Sequence, residues 1–228
     1  MRTSFGVGDV PEELREILEG FIMMQCRYQS ALREVRTKLE ILDDEFRARH
    51  SRNPIHHMES RIKRPESIAQ KLRRKGLPLT VQAATDNLHD IAGIRVVCAY
   101  LNDVYTIASL LTSQDDITLV ETRDYIRNPK PNGYRSLHLI VKVPVFMSTG
   151  KLLLPVEVQI RTIAMDFWAS LEHQLRYKKF TIDVPDALNR QLCEAAEKIA
   201  ALDSDMQHIH DEMVVWVQNV DKPGEPLT

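Results

Sequence analysis

The sequence predicts an α+β fold: a mixed β-sheet of about five strands, flanked by helices, with a long helix at each end of the chain. Three observations carry this. Apolar residues recur at alternating spacings of three and four over two long stretches, 11–46 and 185–219, which is the period of a helix. Between them lie short runs rich in β-branched residues and bounded by Gly, Pro and Asn, which read as strands. A helix-period segment separates the first two of those runs, so the order is strand, helix, strand.

Residues 1–9 hold two glycines and little pattern, and a loose tail is expected there. Pro11 suits a first helical turn, and the stripe Leu14, Leu18, Phe21, Tyr28, Leu32, Val35, Leu39, Leu42 and Phe46 follows, with Gln25 filling its one gap. This helix should end before Asn53-Pro54, because the residue preceding a proline avoids the α region. Pro65 opens a short helix that stops at Gly76, and residues 85–90 read as a capped turn. The first strand is 94–100. Asn102 or Asp103 then caps a helix through Thr112, with Val104, Ile107, Ala108 and Leu111 facing inward.

Three further strands are placed at 117–126, at 136–145 with Pro144 near its end, and at 152–161. The turn Ser148-Thr149-Gly150 makes the last two an antiparallel pair. A helix from Thr162 to about Tyr177 is expected to bury Phe167, Trp168, Leu171 and Leu175 and to show Glu172, His173 and Lys178 on its polar side. His173 reads as structural. The final helix carries Leu188, Leu192, Ala195, Ile199, Leu202, Met206, Ile209, Met213 and Trp216. Neither terminal seam has an obvious full-length partner in the centre of the chain, which points to packing on each other or across subunits of a homo-oligomer.

Composition bounds the function. At 228 residues and 43% hydrophobic content, the chain forms one sizeable core without disulfides or a metal staple. A net charge of −2 supplies no global basic field, which argues against a dedicated duplex-DNA binder. Cys26, Cys98 and Cys193 are odd in number and show no C-x-x-C spacing, so they read as buried thiols in a reducing compartment. No apolar run approaches the length of a membrane span, and the N-terminus lacks a secretory pattern; the expected location is cytoplasmic, with no membrane partner.

The chemistry concentrates in RDYIRNPKPNGYRSLH, residues 123–138. Arg123, Arg127, Lys130 and Arg135 suit anionic phosphates, while Pro129, Pro131 and Gly133 let the backbone turn sharply around a ligand. An exposed Tyr134 ring at the loop edge stacks on a purine for ~1–3 kcal/mol. The same residues also fit a charged surface loop with a tyrosine packed on the sheet rim. In the strand after it, Val156, Val158 and Ile160 alternate with Glu157, Gln159 and Arg161, so one face is apolar and the other carries a carboxylate able to hold Mg²⁺ or take a proton. Asp90 stands just before the first strand and is a second acid for the same cleft.

Arg61, Lys63 and Arg64 precede the helix start at Pro65, and Ser67 and Lys71 lie in its first two turns, an arrangement that favours a polyphosphate although the chain lacks the Walker loop. Alone, such a basic helix start is more often a solvated face than a triphosphate site. His89-Asp90 spells the HD dipeptide of metal-dependent phosphohydrolases, but the other histidines lack matching ligand spacing, so His89 is read as a turn residue.

Four stretches together, ESRIKRPESIAQK (59–71), DIAGIRV (90–96), RDYIRNPKPNGYRSLH (123–138) and VEVQIRT (156–162), resemble the synthetase domain of the RelA/SpoT enzymes. The chain length and FWASLEHQLRYK (167–178) resemble a small alarmone synthetase, and the likeness spans roughly residues 52–178. It implies a nucleotidyltransferase-like sheet and transfer of the β,γ-pyrophosphate of ATP to the ribose 3′-hydroxyl of GDP or GTP, giving AMP and (p)ppGpp, the alarmone of the bacterial stringent response. Carried over position by position, Arg61 and Arg95 enclose the adenine, Lys63, Ser67 and Lys71 contact ATP phosphates, and Asp90 with Glu157 holds Mg²⁺. Tyr134 stacks on guanine, Arg123, Lys130 and His138 bind acceptor phosphates, Asn132 is a neighbouring polar contact and Gln159 supports. Glu157 is the expected general base.

The implied organisation is a helical extension (1–50), a synthetase unit (51–180) and a C-terminal packing helix (181–228), assembled as a tetramer. No hydrolysis of the product is expected, because no second catalytic domain is recognised. His56, His57 and Met58 stand where an interface effector would sit; the choice between (p)ppGpp, RNA or no effector, and between GDP and GTP, is open. Two other classes stay in view: a different nucleotidyltransferase, which usually needs a Gly-Ser helix start, absent here, together with paired D-x-D acids, and an oligomeric RNA-binding protein using the basic loops.

Overall fold

The sheet is built around β5 (Gly150–Thr162), which pairs on one side with β4 (Leu137–Met147) and on the other with β2 (Ala92–Cys98). With β1 (Ile55–Ile62) beyond β2 and β3 (Thr118–Asp124) beyond β4, the strand order is β1-β2-β5-β4-β3. Only β2 and β5 run parallel; every other neighbouring pair is antiparallel, as the two-residue turn between Met147 and Gly150 requires of β4 and β5. This is the expected mixed sheet. The computed structural model describes residues 11–50, 52–177 and 186–220, so the expected tail at 1–9 and the position of Lys178 lie outside the described residues.

Among the described residues, six helices surround the sheet: α1 (Glu12–His50), α2 (Pro65–Arg74), α3 (Val81–Asn87), α4 (Leu101–Thr112), α5 (Ile163–Tyr177) and α6 (Asp186–Val220). The strand alternation decides where they go. Val156, Val158 and Ile160, with Ile94 and Val96 of β2, form the apolar face, and α1 and α4 cover it. Tyr28, Leu32, Val35 and Leu39 of α1 are all at most 2% exposed, each worth roughly 1.5–3 kcal/mol of apolar burial. The partner of the N-terminal stripe from Tyr28 to Leu42 is therefore the sheet itself.

Several elements depart from expectation for identifiable reasons. β1 was not placed as a strand, because IHHMESRI is mostly polar; it is an edge strand with a register shift after Ile55, and charged residues are common on such edges. The turn expected at 85–90 is the end of α3, whose N-cap Thr80 accepts a hydrogen bond from the Ala83 amide. Helix α4 begins at Leu101 with no side-chain cap, and Asp103 is buried in a bidentate pair with Arg52 (2.7 and 2.9 Å) that ties the α1–β1 connection to α4. Pro144 lies inside β4 because β3 has ended opposite Lys142, leaving no neighbour for an N–H at Pro144 on that side.

Of the residues expected to line α5's buried side, only Trp168 is buried; Phe167, Leu171 and Leu175 are exposed. Helix α6 packs on α5 with Ala196 buried and meets the start of α4 further along, where the Asn102 amide donates to Gln207 Oε1 at 2.8 Å; its Leu202, Met206, Ile209, Met213 and Trp216 are exposed. Asp203 is the exception on this helix, buried where it accepts the Thr162 hydroxyl at 2.5 Å. Of the three cysteines, only Cys98 is fully buried; Cys26 is exposed on α1, so a thiol on a long amphipathic helix is not a guide to its depth. Among the described residues, no helix is long and apolar enough to cross a membrane.

Candidate active site

The sheet face opposite α1 and α4 carries two rows of residues that run from strand to strand. In one row Glu59, Arg95, Gln159, His138 and Arg123 stand in register across all five strands; in the next are Arg61, Gly93, Glu157, Ile140 and Glu121. Side chains in register on neighbouring strands are close enough to interact. Gly93 sits between Arg61 and Glu157 with no side chain, which keeps the floor of the cleft open. That cleft has a volume of about 120 Å³ and is lined by Glu59, Arg61, Lys63, Asp90, Arg95 and Glu157, among others.

Asp90 precedes β2, and its Oδ2 receives the ammonium groups of Lys63 at 2.5 Å and Lys71 at 2.6 Å. Burial alone would raise its pKa, but the two lysines outweigh burial and hold the carboxyl below the usual aspartate range. Its Oδ1 is buried with no partner. Lys71 projects from α2, whose N-terminus at Arg64 has no side-chain cap; Ser67 lies in the first turn but does not line the cleft. Arg61 does line it, together with Arg95, which pairs with Glu59 at 3.1 Å and Asp166 at 3.5 Å and leaves its Nε unpartnered.

Glu157 is flanked on both oxygens. Gln159 Nε2 donates to Oε2 at 2.8 Å, and His138 Nδ1 is 3.6 Å from Oε1. Burial would raise this carboxyl too, yet His138 and Gln159 bring it below the ordinary glutamate value, against an opposing push from Asp90. Both acids are thus ionised at neutral pH. Oxygen donors of this kind suit a hard cation, and an unpartnered Asp90 oxygen beside a second carboxylate fits Mg²⁺, which takes one or two protein carboxylates and completes its shell with phosphate and water. The described residues contain no cluster of three or more His, Cys, Asp or Glu side chains placed to hold a metal ion.

Tyr134 joins this row from the loop before β4. Its hydroxyl lies 2.9 Å from His138 Nε2 and 2.9 Å from Arg161 Nη2, so the ring and Glu157 open onto one face of the sheet, connected through His138. The ring is half-buried, not fully exposed as the loop composition suggested. It packs against the buried cluster of Trp168, Ala169 and Ala196, and Lys130 Nζ sits over it at 4.7 Å and over Tyr125 at 4.5 Å. Asn132 is turned toward α5, where its amide donates to Glu172 at 3.1 Å. Arg123 stands on the outer strand, its guanidinium paired with Glu121 at 2.6 and 2.8 Å.

The structure therefore gathers Arg61, Lys63, Lys71, Asp90, Arg95, Glu157 and Gln159 in one cleft and attaches Tyr134, His138 and Lys130 at its side, while Ser67, Asn132 and Arg123 stand apart from it. Sequence reasoning did not single out Asp166, Glu59 or Tyr125. An acid in the first turn of a helix is ordinary, so Asp166 carried no signal; Glu59 and Tyr125 lay inside quoted motifs without a periodic mark.

The loop holding Tyr134 is seated on α6. Cys193 Sγ is 3.2 Å from the Pro131 carbonyl, and Gly133 has φ +85° with the α6 backbone and Ala196 directly above it. A Cβ at Gly133 would fall 2.6 Å from Ala196 Cβ. Gly133→Ala is accordingly expected to destabilise by roughly 2–4 kcal/mol, combining a left-handed backbone penalty with overpacking, and to lower Tm by on the order of 10 °C in a melt followed by circular dichroism. An unchanged Tm would mean that α6 does not rest on this loop.

Comparison with known proteins agrees with the geometry. The region found in RelA / SpoT proteins matches residues 60–181. The chain is 43% identical to the GTP pyrophosphokinase YwaC of Bacillus subtilis over 202 residues, covering 89% of this chain and 96% of that protein. It is 36% identical to the GTP pyrophosphokinase YjbM of the same organism, covering 82% and 86%. Among solved structures, the small alarmone synthetase 1 of Bacillus subtilis bound to its product pppGpp superposes with a TM-score of 0.74 at 36% identity, covering 81% of this chain and 93% of that one. The small alarmone synthetase 2 of that organism gives 0.73 at 45% identity, covering 81% and 96%.

Proposed function

This chain belongs to the RelA/SpoT family, and from that premise we propose that it is a GTP pyrophosphokinase of the small alarmone synthetase type, moving the β,γ-pyrophosphate of ATP to the 3′-hydroxyl of GDP or GTP to form (p)ppGpp and AMP. The observation that carries the reading is the single sheet face on which a lysine-bound acid, Asp90, and a tyrosine-linked acid, Glu157, meet. It divides naturally into a donor side and an acceptor side.

On the donor side Arg61 and Arg95 flank the adenine, planar cations that stack on a base without losing charge. Lys63 and Lys71 each spend one ammonium donor on Asp90 and have others for phosphate oxygens. Ser67 adds a hydroxyl at the uncapped start of α2, where backbone N–H groups favour anions. Asp90 and Glu157 would hold Mg²⁺, which when bound neutralises charge on the phosphates. On the acceptor side guanine stacks on Tyr134, which requires Lys130 to swing off the ring toward the acceptor phosphates; His138 and Arg123 add positive charge along the same row, and Gln159 holds Glu157 in place.

The 3′-hydroxyl is a weak nucleophile. The Glu157 carboxylate accepts its proton as the oxygen attacks the β-phosphorus of ATP, and AMP leaves with the electron pair of the broken bond between the α- and β-phosphates. Lys63, Lys71 and Arg61 compensate the charge that builds on the transferred group. Most of the rate then comes from positioning and fixed charge, with little covalent chemistry asked of the protein.

Residues 51–180 form the synthetase unit in this reading, and 181–228 the helix used in assembly. A homotetramer is supported by apolar surfaces exposed among the described residues: Ile209, Met213 and Trp216 on α6, and a groove bearing Ile17, Leu18 and Leu79 between α1, α2 and α3. Free thiols without a disulfide suit the reducing cytoplasm. Incubating the protein with ATP, GDP and Mg²⁺ and separating nucleotides by anion exchange tests the function: AMP and a guanosine tetraphosphate should appear in equal amounts. Formation of ADP, or no turnover, would overturn it.

A further inference from the structure

Arg161 has no role in the reading above, yet it is the most buried cation of this face, 2% exposed. Its Nη2 donates to the Tyr134 hydroxyl at 2.9 Å and to Gln159 Oε1 at 3.1 Å, and Nη1 meets Asp166 Oδ1 at 3.3 Å. We propose that Arg161 is a positioning residue that orients both side chains facing the Glu157 carboxylate, Gln159 and His138, and that through Asp166 it ties them to Arg95 on the donor side. The inference rests on the reading of Glu157 as the reacting carboxylate.

The argument is one of donors and acceptors. A guanidinium only donates, so every group it contacts must accept. Gln159 must then turn its carbonyl oxygen to Arg161, which leaves its amide N–H₂ for Glu157 Oε2, the 2.8 Å bond observed. The Tyr134 oxygen likewise accepts from Arg161, and in the proposed relay its own hydrogen goes to His138 Nε2 at 2.9 Å. A neutral imidazole that accepts at Nε2 carries its hydrogen on Nδ1, and Nδ1 is the atom facing Glu157 Oε1 at 3.6 Å. Two separate relays from one cation thus deliver an N–H to each oxygen of the same carboxylate. Without Arg161 both the amide and the imidazole are free to reverse and to set a lone pair against Glu157.

Asp166 extends the relay. Its Oδ1 takes Arg161 Nη1 and also Arg95 Nη1 at 3.5 Å, so the cation behind Glu157 and the cation on the donor side share one acceptor. Movement of Arg95 around a bound base is in this way felt by the groups that aim Glu157.

The test is the tautomer of His138, read from the ¹⁵N shifts of histidine-labelled full-length protein. Native protein should show Nδ1–H and Nε2 as acceptor, and folded Arg161→Met should lose that preference, with kcat falling roughly a hundredfold and the acceptor KM changing much less. If Arg161→Met does not fold, Tyr134→Phe breaks the same relay while keeping the ring, and should also release the tautomer and lower kcat. An Nε2–H tautomer in native protein, or an unchanged Nδ1–H tautomer in either folded variant, overturns the proposal. A native protein with the expected tautomer and no pyrophosphoryl transfer would instead refute the function reading and leave the relay standing.

Discussion

Glu157→Gln is expected to stop pyrophosphoryl transfer while both nucleotides still bind. The substitution keeps the shape of the side chain and its place between His138 and Gln159 but removes the only carboxylate in that position. Loss of a positioned general base costs ~10²–10⁴-fold in rate, and loss of a metal-holding oxygen adds to this. Single-turnover measurement of AMP release, paired with calorimetric Kd values for GDP and for a non-hydrolysable ATP analogue, separates chemistry from binding. Full turnover by the variant would remove Glu157 from the mechanism. Because His138 and Gln159 hold the carboxyl below the ordinary glutamate range, the native enzyme should keep this carboxylate ionised as pH falls toward that range and lose its contribution only below it.

Tyr134→Ala should raise the acceptor KM roughly ten- to hundredfold and leave the KM for ATP nearly unchanged, since one base–aromatic stack is worth ~1–3 kcal/mol. The ring also packs against the cluster of Trp168, Ala169 and Ala196, and its hydroxyl joins Arg161 to His138, so the alanine variant loses stability and some kcat as well. Tyr134→Phe distinguishes the contributions: it retains the stacking face and should therefore retain the acceptor KM. Equal increases in both KM values for Tyr134→Ala would contradict the assignment of this ring to guanosine.

Much of this was legible in the sequence, and the parts that were not have physical causes. Alternation in 156–161 put Glu157, Gln159 and Arg161 on one face, and the Gly150 turn fixed the β4–β5 pairing, because both signals are local. The strand order was not accessible from local pattern: the parallel pairing of β2 with β5 brings Gly93 beside Glu157 from residues far apart in the chain. Edge strand β1 hid in a polar run, and the apolar stripe of α1 did not reveal that a sheet, and not another helix, would cover it.

At the site, the residue types were readable and their partners were not. Nothing in RDYIRNPKPNGYRSLH indicates that Asn132 would turn to Glu172, that Lys130 would lie over two tyrosine rings, or that α6 would close on Gly133. Arg161 illustrates the limit best. Its face was given by alternation, but its burial and its three partners arise only when β5, α5 and the Tyr134 loop come together.

The account stands or falls on which phosphate groups move and where. With ATP labelled at the β-phosphate, GDP and Mg²⁺, the label should leave ATP and appear in the guanosine product on its 3′ side, with unlabelled AMP released in equal amount. Label retained in ADP, or guanosine product carrying only the γ-phosphate, would contradict it.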